Sequence, residues 1–202
     1  MRSGLSLLGI MSLLTLLPCR IWAPGVVGQP AETRFSGAVD GPHGPGAVEC
    51  VISRFNARQS SLASFEIREV AEAVVREAEI NELAWDLVLA VIHTESGFYN
   101  FANSSAGALG LMQIMPKTGE ALAREAGVEW HGAETLFEPL VNVKLGTRYL
   151  ATLHGRFGGW EQALAAYNWG PGAINRRLRR GHRLPRRYVA KVYSQLRSPD
   201  AL

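Results

Sequence analysis

The sequence predicts a mainly α fold: one globular domain of about six or seven helices with little or no β structure. Three observations predict it. From Ser64 onward, Ile67, Val70, Ala71, Val74, Val75 and Ala78 recur at spacings of three and four, with charges between them. Residues 85–92 (Trp, Asp, Leu, Val, Leu, Ala, Val, Ile) are apolar on nearly every face, the pattern of a helix enclosed in a core. Nowhere does an alternating apolar–polar stretch of any length appear, and only the segment near Val128–Trp130 leaves room for one or two short strands.

Taken in chain order, residues 1–23 read as an export signal: Met1-Arg2 gives a small positive start, and Leu5–Leu17 is uncharged but too short to span a bilayer comfortably. The end of this signal is poorly defined, with Ala23, Gly28 and Ala31 as alternatives. An uncleaved anchor is the competing reading. Pro18 before Cys19 argues against a lipoprotein signal. Residues 24–60 are assigned to a linker, because 24–46 hold ten Gly or Pro in 23 positions. Loss of the signal removes Cys19 and leaves Cys50 alone, so no intramolecular disulfide framework exists and the core must supply the stability. The folded domain is placed at 61–202, and the roughly 140 residues from about 60 onward suffice for one domain.

Within it, a helix begins near Ser64. Asn81 is positioned to cap a second helix that runs to Glu95, with Gly97 as its stop. Pro116 opens a third that ends at Gly127. Leu145, Tyr149, Leu150 and Leu153 mark a fourth over 141–157. Helices over 160–168, 173–180 and 186–196 complete the set. Charge is uneven: nine of the 21 basic residues lie between Arg176 and Arg197 with no acid among them, leaving 12 basic against 18 acidic residues elsewhere. That basic segment suits an anionic partner, such as wall polymer or lipid headgroups; its competing reading is a solvated helix face.

Glu95 is the leading candidate for chemistry. The last turn of the apolar helix carries it to the edge of a core, where burial disfavours the carboxylate, raises its pKa and yields a general acid. A solvated helix-end Glu, or one paired with an Arg, is the competing reading. Gln113 stands in the segment Gly107-Ala108-Leu109-Gly110-Leu111-Met112-Gln113-Ile114, where it either presents an amide to a ligand or satisfies a loop backbone. Tyr167-Asn168-Trp169-Gly170-Pro171-Gly172 ends a helix with an aromatic hydroxyl and an amide, either functional or capping. Asn142–Leu150 reads as a structural helix with a Gly for close packing.

The order of these segments resembles the lytic transglycosylase family of the soluble, lysozyme-like (SLT) type: Glu95-Ser96-Gly97, then Gly110-Leu111-Met112-Gln113, then Ala166-Tyr167-Asn168-Trp169-Gly170-Pro171-Gly172, with Tyr188-Val189-Ala190-Lys191-Val192 near the end. The resemblance covers about residues 68–197. It implies a lysozyme-like fold and cleavage of the β-1,4 bond between N-acetylmuramic acid and N-acetylglucosamine in peptidoglycan, with formation of a 1,6-anhydro sugar. It places Glu95 as the sole catalytic acid and base, with Ser96 orienting Glu95 or the sugar. Met112 and Gln113 fall in the substrate groove, Tyr167 near the carboxylate, Asn168 on a sugar acetamido group and Tyr188 near Glu95. Trp169 stands where a small residue is common, as a sugar-stacking surface or a wedge in the fold.

Three rivals stay open: a goose-type muramidase that hydrolyses the same bond, a peptidoglycan-binding adaptor of a secretion apparatus, and, weakest, nucleic-acid binding by the basic segment. Export and the scarcity of interleaved aromatics weigh against the last. Asp86, nine residues before Glu95, lies about 13 Å along the helix, too far to act as a paired carboxylate. No cofactor or metal is expected, since His43, His93, His131, His154 and His182 have no ligand spacing.

Overall fold

The computed structural model describes residues 45–58 and 60–196. The expected signal over 1–23 and most of the expected linker lie outside the described residues. Among the described residues eight α-helices follow one another: α1 Pro45–Asn56, α2 Ser64–Ile80, α3 Trp85–Ser96, α4 Pro116–Ala126, α5 Pro139–Phe157, α6 Trp160–Trp169, α7 Pro171–Arg179 and α8 Arg186–Leu196, with a 3-10 turn at Ala133–Phe137 before α5. The fold is therefore mainly α, with one helix more than the sequence reading counts.

The extra helix is α1, which occupies part of the segment assigned to the linker. Ala47, Val51 and Phe55 share one face at a spacing of four, and Val51 and Phe55 are fully buried. Their burial against α2 overrides the Gly/Pro-rich context that precedes them. The linker reading therefore ends, within the described residues, before Pro45.

Helix α3 lies at the centre, with every residue from Leu87 to Ile92 buried, and it packs against α2 and α8. Gly97 ends it in the left-handed region at φ +60°, its N–H donating to the His93 carbonyl at 3.1 Å. Asn81 does not open α3. Its side-chain amide donates back to the Glu77 carbonyl at 2.8 Å and closes α2, while Ala84 precedes α3 without a side-chain cap. Helix α5 packs on α2 and α6, and α6 on α7 and α8, so α2 and α8 connect α3 to the motif-bearing α6.

Among the described residues the extended pairing consists of two isolated bridges, Asn103 with Leu109 and Leu109 with Ile114. No strand forms near Val128–Trp130. The bridges shape the loop between α3 and α4 that carries Gly110–Gln113. None of the described helices is long and apolar enough to cross a membrane.

Candidate active site

The last turn of α3 presents Thr94, Glu95 and Ser96. Ser96 is committed to the helix end: its hydroxyl donates to the Ile92 carbonyl at 3.1 Å and accepts the Phe98 N–H, also at 3.1 Å. The chain then turns through two left-handed residues, Gly97 at φ +60° and Phe98 at φ +73°. For a bulky residue such backbone costs on the order of 1–3 kcal/mol. Burial of the Phe98 ring against Phe55, at 4.8 Å between centroids, and against His93, at 5.3 Å, holds it there. Two apolar contacts and one hydroxyl thus fix the backbone immediately after Glu95.

Glu95 itself is half-buried. Loss of solvation pushes its pKa up; the hydrogen bond from Tyr188 and the positive charge of Lys191 pull the other way but do not cancel it. The Tyr188 hydroxyl donates to Glu95 Oε1 at 2.7 Å, and Lys191 Nζ donates to the Thr94 carbonyl at 2.8 Å. Both come from α8, at positions three apart, which face the same side of a helix. The Tyr188 and Tyr167 phenols are held well above their ordinary pKa, first by burial and then by the charge of Glu95. Both are therefore neutral hydrogen-bond donors wherever Glu95 is at work. Glu120, Glu125, Glu134 and Glu138 are exposed, and Asp86 accepts the Leu87 N–H on its own helix. The groups that act on Glu95 are a tyrosine and a lysine, and no other carboxylate is among them.

Tyr167, whose phenol feels the Glu95 charge, links the site to the Gly110–Gln113 loop, which is clamped at Met112. Its N–H donates to Asn142 Oδ1 at 2.7 Å, and its carbonyl accepts the Tyr167 hydroxyl at 2.8 Å. Asn142, fully buried on α5, also donates to the carbonyls of Leu109 at 3.0 Å and Leu136 at 2.8 Å. The approach demands glycine: a Cβ on Gly110 would come within 2.2 Å of Asn142 Nδ2, and one on Gly146 within 2.4 Å of Met112 Sδ. The Met112 side chain is fully buried. Any contact of this residue with a ligand in the expected groove therefore falls to its backbone. Gln113, in the left-handed region at φ +49°, spends its amide N–H groups on the carbonyls of Ala102 at 2.9 Å and Gly110 at 3.0 Å.

The structure therefore brings together Glu95, Tyr188, Tyr167 and the Met112 backbone. Asn168 and Trp169 stand exposed at the end of α6, so Trp169 is not a wedge in the fold. Sequence reasoning gave Lys191 no individual role and read Asn142 only as part of a structural helix. The pairing of Lys191 with Tyr188 on one face of α8 is the signal that could have found it. No cluster of three or more His, Cys, Asp or Glu able to hold a metal occurs among the described residues.

Comparison with known proteins follows the same residues. A family model described as the transglycosylase SLT domain matches residues 72–189. A putative soluble lytic murein transglycosylase of Haemophilus influenzae is 37% identical over 93 residues, which are 46% of this chain and 16% of that protein. The soluble lytic murein transglycosylase of Salmonella typhimurium is 35% identical over 95 residues, 46% of this chain and 15% of that protein. The matched stretch thus spans about a sixth of these relatives. Among solved structures, an inactive glutamate-to-glutamine mutant of a Pseudomonas aeruginosa lytic transglycosylase superposes with a TM-score of 0.56 at 34% identity, covering 62% of this chain and 23% of that one. The 70 kDa soluble lytic transglycosylase of Escherichia coli does so at 0.53 and 21% identity, covering 76% and 27%, which speaks to the fold.

Proposed function

Since this chain belongs to the transglycosylase SLT domain family, we propose that it cleaves the β-1,4 bond between N-acetylmuramic acid and N-acetylglucosamine in peptidoglycan, without water, using Glu95 first as acid and then as base. The observation that carries this reading is the setting of Glu95: a half-buried carboxyl with a raised pKa, hydrogen-bonded by a neutral phenol, with no carboxylate partner among the described residues. A glycosidase of the two-carboxylate type needs a second acid facing the first. A single group that alternates roles does not.

The steps balance on one proton. Protonated Glu95 donates to the glycosidic oxygen as the bond from the muramyl anomeric carbon breaks, and the N-acetylglucosamine end leaves as an alcohol. The positive centre has oxocarbenium character. The substrate's own acetamido group stabilises it. The Glu95 carboxylate then takes the proton of the muramyl 6-hydroxyl as that oxygen bonds to the anomeric carbon. A 1,6-anhydro ring forms and Glu95 is protonated again. Tyr188 stabilises the ionised state of Glu95 between the two transfers, and a desolvated site makes the proton return favourable. Tyr167, bonded to the Met112 carbonyl, would hold that loop, and Asn168, exposed at the end of α6, would meet a sugar acetamido group.

The reading includes export to the periplasm or cell envelope, carried by the apolar segment at the start of the chain. The Arg-rich segment from 176 to 197 would add electrostatic contact with an anionic envelope surface. Recruitment by a secretion machine is compatible with this activity and is not needed for it.

The test is mass spectrometry of muropeptides released from purified peptidoglycan by the full chain, with Glu95→Gln alongside. The expected products are about 18 Da lighter than hydrolytic ones, one water fewer, and absent with Glu95→Gln, since a general acid contributes about 10²–10⁴-fold. Hydrated products would make the protein a muramidase. Release by neither protein, with binding intact, would make it an adaptor.

A further inference from the structure

Helix α6 ends in a run that the proposed chemistry uses only in part. After Tyr167 and Asn168 comes Trp169, with 53% of its surface exposed. A half-exposed indole forgoes the burial that usually stabilises so large a side chain, and aromatic side chains of this kind are enriched where one face meets a ligand. The guanidinium of Arg177, one helix further on, lies over the Trp169 ring at 5.8 Å from its centroid. Arg177 is also held from behind, its Nε donating to the Arg183 carbonyl at 3.1 Å. Arg183 in turn lines a cavity of about 420 Å³ together with Glu161, Leu184 and Arg186. That volume lies within the about 300–1,000 Å³ of small-molecule sites. Among the described residues, no carboxylate forms an ion pair with Arg177, Arg183 or Arg186.

We propose that Trp169, Arg177 and the cavity lined by Arg183 and Arg186 form a subsite for the acidic peptide stem that hangs from the glycan strand. The inference rests on the peptidoglycan-cleaving reading above. The indole offers a flat apolar surface to a sugar face, at the end of the helix that carries Tyr167. Arg177 is pre-set by its bond to Arg183, and a guanidinium fork matches carboxylate geometry. The cavity adds two arginines for stem carboxylates and one glutamate, Glu161, for a stem amine. This converging arrangement differs from the even spread of charge that suits a lipid surface, where no pocket is required.

The test measures binding in the full-length Glu95→Gln protein, so that strands are not consumed. The probes are purified peptide-bearing glycan strands and the same strands stripped by an amidase, which lose the stem and carry a free lactyl carboxylate where its amide was. Arg177→Gln is expected to raise Kd roughly threefold to fivefold for peptide-bearing strands and to leave stripped strands unchanged. Trp169→Ala is expected to weaken both. Arg180→Gln, exposed on the same basic stretch, serves as the control and is expected to do neither. An unchanged Kd with Arg177→Gln overturns the subsite, as does no measurable binding of peptide-bearing strands. An equal loss with Arg180→Gln assigns the effect to diffuse charge, and an equal loss on stripped strands assigns it to the glycan strand itself; each also overturns the stem assignment. Failure of the unmutated chain to cleave strands is a separate result, and it bears on the proposed function alone.

Discussion

Tyr188 and Glu95 are 93 residues apart in the chain and 2.7 Å apart at their oxygens. The contact joins the end of the central helix to α8, and it couples packing to chemistry. Val189 and Val192 bury one face of α8, and that docking sets Tyr188 against the carboxyl. Burial disfavours the Glu95 anion, whereas Tyr188 and Lys191 favour it. The acid is thus held above the ordinary carboxyl value yet remains able to ionise and re-protonate, which a group acting twice in one turnover needs.

Tyr188→Phe removes the donor and keeps the ring. Stabilisation of the Glu95 anion falls, so its pKa moves further up and the acid stays protonated to higher pH. The alkaline limb of kcat/KM is expected to shift upward, with kcat lower by about tenfold because the carboxyl loses a fixed orientation. A pH profile of strand cleavage checks both. An alkaline limb that stays in place would show that Tyr188 acts only through packing.

Glu95 also makes the fold pH-dependent in the direction opposite to most carboxylates. Its folded pKa lies above its ordinary value of 4.5, which it regains on unfolding. Between the two values the folded state binds more protons than the unfolded state. The contribution to stability is therefore full below 4.5 and is lost as pH rises through the folded pKa. Glu95→Gln, which carries no charge, is expected to be more stable than the unmutated chain at pH 8 by about 1 kcal/mol, the usual gain when a functional site is relieved. The difference is expected to vanish near pH 4. Thermal unfolding at both pH values measures it, and equal midpoints at pH 8 would contradict burial as the dominant influence on Glu95.

Legibility in the sequence followed the range of each interaction. Helix α3 could be read because its apolar character is continuous, and Glu95 because the run stops there. Gly97 was readable as the stop because only local backbone geometry is involved. Asn81 was misplaced by one helix, since an amide before an apolar run can cap in either direction and the choice depends on the backbone around Glu77. The positions of Tyr167 and Tyr188 came from the resemblance and not from spacing, because nothing local says that a phenol reaches a residue many tens of positions away. Lys191 and Asn142 escaped for the same reason. One looks like a surface charge and the other like an ordinary helix residue, and each is defined by a carbonyl or amide elsewhere in the chain.

Asn142→Ala tests the clamp on Met112. It leaves the Met112 N–H and the Leu136 carbonyl without this partner, while the Leu109 carbonyl keeps the Ile114 N–H. Unsatisfied buried groups cost about 1–3 kcal/mol each, partly recovered by relaxation, so a loss of about 3 kcal/mol is expected by urea unfolding at unchanged m. Cleavage is expected to fall more than tenfold under conditions where the protein is still folded. Tyr167 holds the same residue by its carbonyl, and a slackened loop no longer fixes Tyr167 in one geometry. Loss of stability with full activity would separate the clamp from the site.

Phe55→Ala asks whether α1 is part of the domain. The ring is fully buried, and its contact with Phe98 lies three residues beyond Glu95. Truncation of a buried Phe costs about 3–5 kcal/mol, which for a domain of this size lowers Tm by roughly 10 °C. Phe98 sits in the left-handed region at φ +73°, and it loses one of the two rings that keep it there. Its backbone is therefore expected to relax and cleavage to fall along with stability. A chain beginning at residue 61 is expected to be at least as unstable, since it also lacks Ala47 and Val51. Thermal midpoints of the two variants, measured beside the full chain, decide the matter: midpoints equal to that of the full chain would return residues 45–56 to the linker.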